Sequence, residues 1–212
     1  MSAPTLFDTT TPAAGLPFPR PAAVTHPPLV IALDAATITT GVAGIGWTDH
    51  VHATATDLHP RFKEQLDGCA SFYRNAEMVV IEGAAFSKNN TGADALAAMR
   101  WMIRQDLWKR GIPYAVINPQ SRIIYATGKA YPASGHPKKD RARIAKGMVR
   151  DAVHERYGLL TEGKHRYDEA DAYVLLALGL HSLGHVLADI PDDWSERALR
   201  GVRWHNRPAV AR

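Results

Sequence analysis

Four acidic residues stand where a carboxylate is unfavourable unless something nearby compensates it. Asp34 closes the apolar run Leu29-Val30-Ile31-Ala32-Leu33, and Glu82 closes Met78-Val79-Val80-Ile81. Asp168 and Asp171 open the run Asp168-Glu169-Ala170-Asp171-Ala172-Tyr173-Val174-Leu175-Leu176. Burying the apolar neighbours drags each charge toward low dielectric. Three such places, spread from position 34 to position 171, suggest convergence on one cation site. Oxygen donors suit a hard ion. Mg2+ takes a few carboxylates, keeps several waters and leaves room for a substrate phosphate. Two such ions suffice for in-line hydrolysis of a phosphodiester.

Each piece also has a plainer explanation. Asp168 and Asp171 fit a helix start, where the dipole favours acids. Asp34, shortly before Thr37-Ile38-Thr39-Thr40, fits a turn. Glu82 is harder to explain as structure, because a solvated Glu rarely ends so apolar a run.

The elements that must position these residues can be read from periodicity. Pro28 to Leu33 is a continuous, β-branched apolar run, as in a central strand. Gly41 to Trp47 and Val51 to Thr56 predict two further strands, with a hairpin turn at Thr48-Asp49-His50. Residues 60 to 76 carry a helical pattern, and Met78 to Ile81 is a short buried strand. Asp94 to Arg110 predicts a helix through Leu96, Met99, Ile103 and Leu107. Tyr114 to Ile117 is a fifth strand, followed by a short helix over 119 to 126 and a surface loop over 127 to 137. Lys139 to Tyr157 and Asp168 to Leu183 are the closing helices, and one short helix follows Pro191.

The expected fold is α/β, with a five-stranded mixed sheet flanked by helices. The first three strands are antiparallel, and the first, fourth and fifth are parallel. Strands one and four then place Asp34 and Glu82 on one sheet edge, where open α/β sheets keep their sites. Asp168 and Asp171, at i and i+3, share a helix face.

At 212 residues, 46% hydrophobic and 22% charged, the chain can bury one substantial core. Residues 1–27 hold six of the fourteen prolines and predict a flexible arm. Residues 28–187 form the expected domain, and 188–212 an arginine-bearing basic tail. No apolar run is long enough to span a membrane. The N-terminus lacks the pattern of a secretory signal, so the cytoplasm of a bacterium or a phage-infected host is expected. A lone Cys69 excludes both an internal disulfide and a cysteine-rich zinc site. No Walker phosphate loop occurs.

Net charge is +4, but residues 138–166 hold nine Lys or Arg against four acids. Taken alone, such a run fits a solvated helix face. Beside a carboxylate cluster, it fits an enzyme that must hold a phosphodiester.

The motifs resemble those of RuvC-type Holliday junction resolvases, in the RNase H-like superfamily, as a divergent phage form. The resemblance rests on Ile31-Ala-Leu-Asp34 with Thr39-Thr-Gly41, on Val80-Ile-Glu82 with Phe86-Ser-Lys88-Asn89, and on Asp168-Glu-Ala-Asp171-Ala. It covers about residues 29 to 184. It departs at Ala35-Ala36, where the family commonly has Pro-Gly, and at Gly83, where the family has a larger polar residue.

The resemblance implies an RNase H-like fold and an endonuclease that resolves four-way or branched DNA with two Mg2+ ions per site, Mn2+ being the alternative. It implies that Asp34, Glu82, Asp168 and Asp171 hold the metals, and that cutting leaves 5′-phosphate and 3′-hydroxyl ends. Arg122, Lys129, Lys138, Lys139, Arg141 and Lys88 would contact DNA, and Phe86 would lie near the position that stacks on opened bases. Family members act as homodimers, and the helix carrying Leu96 to Leu107 would help form the interface. Other functions compatible with the same residues are an RNA–DNA hybrid or flap nuclease and a non-catalytic nucleic-acid binder.

Overall fold

The computed structural model describes residues 27–84 and 92–206. The arm over 1–26, and Phe86 and Lys88, lie outside the described residues. The element order is β1 (Val30–Asp34), β2 (Thr39–Gly44), β3 (Trp47–His52), α1 (Leu58–Tyr73), β4 (Met78–Glu82) and α2 (Ala93–Lys109). It continues with β5 (Tyr114–Ile117), α3 (Pro119–Thr127), α4 (Arg141–Tyr157), α5 (Arg166–His181), α6 (Asp192–Leu199) and β6 (Val202–His205).

The strands form a single mixed sheet in the order β3-β2-β1-β4-β5-β6. β1, β4 and β5 run parallel, and β1-β2-β3 are antiparallel, as the patterning predicts. The β1–β4 register pairs Leu33 with Ile81, so Asp34 and Glu82 are the next residues on adjacent parallel strands. Both therefore leave the sheet at one edge.

Alternation along the strands splits the core in two. Val30, Ala32, Ala43, Val80 and Ala115 face α3, α4, α5 and α6. Ile31, Leu33, Val42, Val79 and Ile81 face α1 and α2. α5 is buried without a break from Ala170 to Leu180, with sheet on one side and α4 and α3 on the other. A helix that is apolar all round is one enclosed on all sides, and this one is.

Two expectations need correction. The hairpin turn falls at Ile45-Gly46, since Gly44 pairs with Trp47, and Gly46 takes φ 80°. Thr48-Asp49-His50 lies instead within β3, an edge strand on which Asp49 is exposed while Thr48 and His50 turn toward Glu169 of α5. The sheet also has six strands where five are expected. β6 pairs antiparallel with β5, Val202 opposite Ile117 and His205 opposite Tyr114. The arginine-bearing tail expected after the short helix thus supplies an edge strand. Only Val202 and Trp204 turn inward, and the exposed Arg203 and His205 hid the strand. Among the described residues, no helix is long and apolar enough to cross a membrane.

Candidate active site

The site assembles from strand ends and one helix start. Asp34 and Glu82 terminate β1 and β4 side by side. Asp168 and Asp171 lie in the first turns of α5, which is laid against β1 and β2. The close approach depends on Gly41, opposite Asp34 in the sheet. A Cβ added at Gly41 would overlap the carbonyl oxygen of Asp168. The motif glycine therefore sets how near α5, and with it two acids, comes to the strand ends.

The environment is electrostatically strained. Asp34 is raised to about 7 by burial, and then by the charge of Glu82, with Arg122 and Lys146 pulling the other way. Asp171 is raised to about 7, chiefly by burial and also by Asp34, even against the opposing Arg122. Carboxylates crowded in this way cannot all ionise without further positive charge.

Arg122 supplies part of that charge. It sits on α3, is 9% exposed, donates from Nε to Glu82 Oε1 at 3.0 Å, and forms an ion pair with Asp171. Burial works against its charge, but Asp171, Glu82 and Asp34 outweigh burial and hold the guanidinium ionised. Arg122 therefore does not lie on the surface, where a peripheral DNA contact would stand; it lies among the acids. Asn118 caps α3 by accepting from Gln120 N–H at 2.9 Å, and Pro119 fills the first turn, which fixes where Arg122 points.

Two further cations join: Arg100 from α2, which the sequence reading did not connect to the acids, and Lys146 from the basic run that it placed beside them. Arg100 of α2, 7% exposed, reaches Glu82 Oε2 at 3.3 Å from the opposite face of the sheet. Its signal was an arginine beside the buried stripe of Met99, Ile103 and Leu107. Lys146 of α4 lies 3.5 Å from Asp168 Oδ1, and His165 Nδ1 is 3.9 Å from Asp168 Oδ2. Asp168 is thus more open than Glu82 and Asp171 and faces two basic groups. Lys129, Lys138, Lys139 and Arg141 are exposed on the loop after α3 and the start of α4. Arg122, Lys146 and Asp171 line a cavity of about 210 Å3 with Ile123 and Val149.

Among the described residues, no three His, Cys, Asp or Glu side chains are grouped closely enough to hold a metal ion. The Arg122 guanidinium instead bridges Glu82 and Asp171. The donor chemistry nonetheless suits a hard divalent cation: carboxylates from two strand ends and one helix start lie near one another, and Asp34 and Asp171 are pushed toward neutrality by burial first and then by the negative charge around them.

Among solved structures, the chain is similar to one described as the Thermus thermophilus RuvC structure, at TM-score 0.53 and 16% identity. That match covers 76% of this chain and 99% of the other. It is also similar to T. thermophilus RuvC in complex with Holliday junction substrate, at TM-score 0.50 and 14% identity, over 76% of this chain and 98% of that one. The chain has the RuvC fold. No family model and no curated protein matches the sequence. Identity this low carries the likeness through architecture. The mixed sheet with parallel β1, β4 and β5, flanked by helices, is the shared frame.

Proposed function

We propose that the protein is a metal-dependent endonuclease that resolves four-way or branched DNA. The observation that carries this reading is the convergence of Asp34, Glu82, Asp168 and Asp171, from three separate elements, on one edge of a RuvC-fold sheet. In support, the similar T. thermophilus RuvC has been captured with Holliday junction substrate.

In this reading the four acids hold Mg2+ or Mn2+, two ions per site. Bound there, the ions supply Lewis acidity toward the phosphodiester. The chain's own residues do the rest. Arg122 and Lys146 stand where a phosphate oxygen entering the pocket would meet positive charge. Arg122 must then exchange its bridge between Glu82 and Asp171 for the phosphate, leaving both carboxylates free for cations. Arg100 keeps Glu82 in place from the other side. Water attacks phosphorus, and the P–O3′ bond breaks to leave 5′-phosphate and 3′-hydroxyl ends. Lys129, Lys138, Lys139 and Arg141 follow the backbone beyond the cut, and Lys88 and Phe86 extend the contact from the segment after β4. A homodimer places two such sites on one junction. Trp101 and Trp108, 63% and 60% exposed on α2, support a partner surface there.

The test is a labelled synthetic four-way junction incubated with the protein and Mg2+. Paired, symmetric nicks are expected, with Asp34→Asn binding the junction but leaving it whole. Equal cutting of duplex, RNA–DNA hybrid and junction would remove the junction assignment. Cutting that persists after complete chelation would remove the mechanism.

A further inference from the structure

Past the carboxylates, the same edge of the sheet opens into a concavity of about 310 Å3. Its walls include Gly83 after β4, Val116 of β5, Asn118 at the start of α3, and Arg200 and Arg203 of the C-terminal segment. Gly83 follows Glu82 directly, so this hollow begins one residue from the acids. It shares no wall with the cavity lined by Arg122, Lys146 and Asp171. Both arginines lie beyond residues 29–184, which carry the resemblance to the resolvases.

An edge strand needs only some charge to discourage further pairing, and Arg203 on β6 would serve that purpose alone. It does not account for what surrounds Arg203. Among the described residues, no acid lines the hollow and no carboxylate pairs with Arg200 or Arg203. Arg197, earlier on the same segment, does have such a partner in Asp193. Asn118 spends its Oδ1 on the Gln120 N–H, which leaves its Nδ2 to donate. The arginines are also held in place. The Asn118 N–H donates to the Gly201 carbonyl at 3.0 Å, and Trp204 donates from Nε1 to Ser182 Oγ at 2.9 Å. A Cβ added at Gly201 would overlap the Ser121 hydroxyl. The segment between the two arginines is therefore seated on α3, beside Arg122, and cannot drift relative to the acids.

Two unpaired guanidinium groups and an amide N–H around one hollow suit a phosphate, which arginine grips through two parallel bonds. β6 lies two strand spacings beyond β4, about 10 Å along the edge. A B-form strand advances about 3.4 Å per nucleotide, so that distance spans about three phosphates. We infer that Arg200, Arg203 and Asn118 form a phosphate subsite that holds the backbone of the cleaved DNA strand, about three nucleotides from the cut. The subsite rests on the nuclease reading given above and adds a second hold on the strand, supplied by the α6–β6 segment. It is indifferent to base identity, because it meets only phosphate.

The test measures binding of a four-way junction across a salt series, with Asp34→Asn as the parent so that the junction stays whole. Adding Arg200→Gln and Arg203→Gln should lower affinity about tenfold at low salt and make the log–log salt slope shallower by about one. Both side chains are exposed, so Tm should hold within the small range usual at such positions. Single neutral methylphosphonate linkages are then placed at successive positions on each side of the cut. One linkage should weaken the parent yet add nothing once the arginines are replaced. An unchanged salt slope would overturn the subsite. So would linkages that all weaken the two chains equally. If inorganic phosphate raises Tm only when the arginines are present, while no linkage matters, the hollow takes a free ion and the strand contact falls. If the linkage effect is present but the unaltered chain cuts nothing, the nuclease reading falls and the subsite stands. If the chain cuts with a salt dependence untouched by the arginines, the subsite alone falls.

Discussion

The two faces of the sheet are made by alternate residues of the same strands, yet they are packed to different ends. Toward α1 and α2 the central strands present large side chains, Ile31, Leu33, Val79 and Ile81. Toward α5 they present mainly smaller ones, Val30, Ala32, Ala43, Val80 and Ala115. Glycine extends the trend, since a Cβ at Gly179 of α5 would overlap a methyl of Val80, and one at Gly41 the backbone of Asp168. Small surfaces let a helix come close, and closeness is what delivers Asp171 to the end of β1. The other face keeps its helices further out and leaves Trp101 and Trp108 in the open. One face is built for close positioning, and the other leaves two large aromatic side chains exposed. They meet at Glu82, held by Arg122 from the first and Arg100 from the second.

The sharpest way to break this contrast is to thicken the close-packed face. Gly41→Ala should push α5 away from β2 and lower junction cutting by more than about 100-fold, beyond the roughly 1–3 kcal/mol usual for overpacking. Cutting rates set beside denaturant midpoints would separate the two effects. Near-normal cutting would show that the approach of α5 does not matter.

Removing bulk from the same face should be costly in stability. Leu176, fully buried in α5, when changed to Ala should destabilise by about 2–5 kcal/mol in urea titrations.

The pH dependence of stability probes the acids directly. The folded-state pKa of Asp34 lies above its ordinary value, near 7 against 3.8. The folded chain therefore binds more protons than the unfolded chain between these values. The contribution is fully present below about pH 4, is lost as pH rises to about 7, and is level beyond. Asp171 acts in the same direction. Asp34→Asn should thus stabilise the protein at pH 8 by about 1–3 kcal/mol, some 2–10 °C in Tm, and hardly at all at pH 4. Mg2+ should raise the Tm of the parent chain at pH 8 more than that of Asp34→Asn. A parent Tm insensitive to both pH and Mg2+ would contradict the crowding of the acids.

The smallest intramolecular effect is expected on the open face. Trp101→Ala should change the stability of a single chain by no more than about 0.5 kcal/mol, as at other exposed positions. If α2 meets a second copy, sedimentation should show Trp101→Ala with Trp108→Ala shifting dimer to monomer.

Several features were legible without coordinates because they are local. Apolar runs ending in an acid marked β1 and β4, and the i, i+3 acids marked the start of α5. The parallel pairing that sets Asp34 beside Glu82 followed from strand order. β6 was not legible, because an edge strand needs only two inward residues and its exposed arginine resembles that of a tail. Nor was the turn at Ile45-Gly46, because the apolar Ile45 between Gly44 and Gly46 reads as a continuation of the strand.

The sequence by itself determined which carboxylates end strands and start the buried helix, and the period of each element that carries them. Only the tertiary structure decided that Arg122 lies among those carboxylates rather than on the surface. Tertiary packing alone also brought Arg100 through to Glu82 from the far face. The physical reason is range. Burial periodicity acts over one or two turns of chain, whereas Arg122 and its partners Glu82 and Asp171 are 40 and 49 positions apart in sequence. Their meeting depends on how closely α3 and α5 approach the sheet.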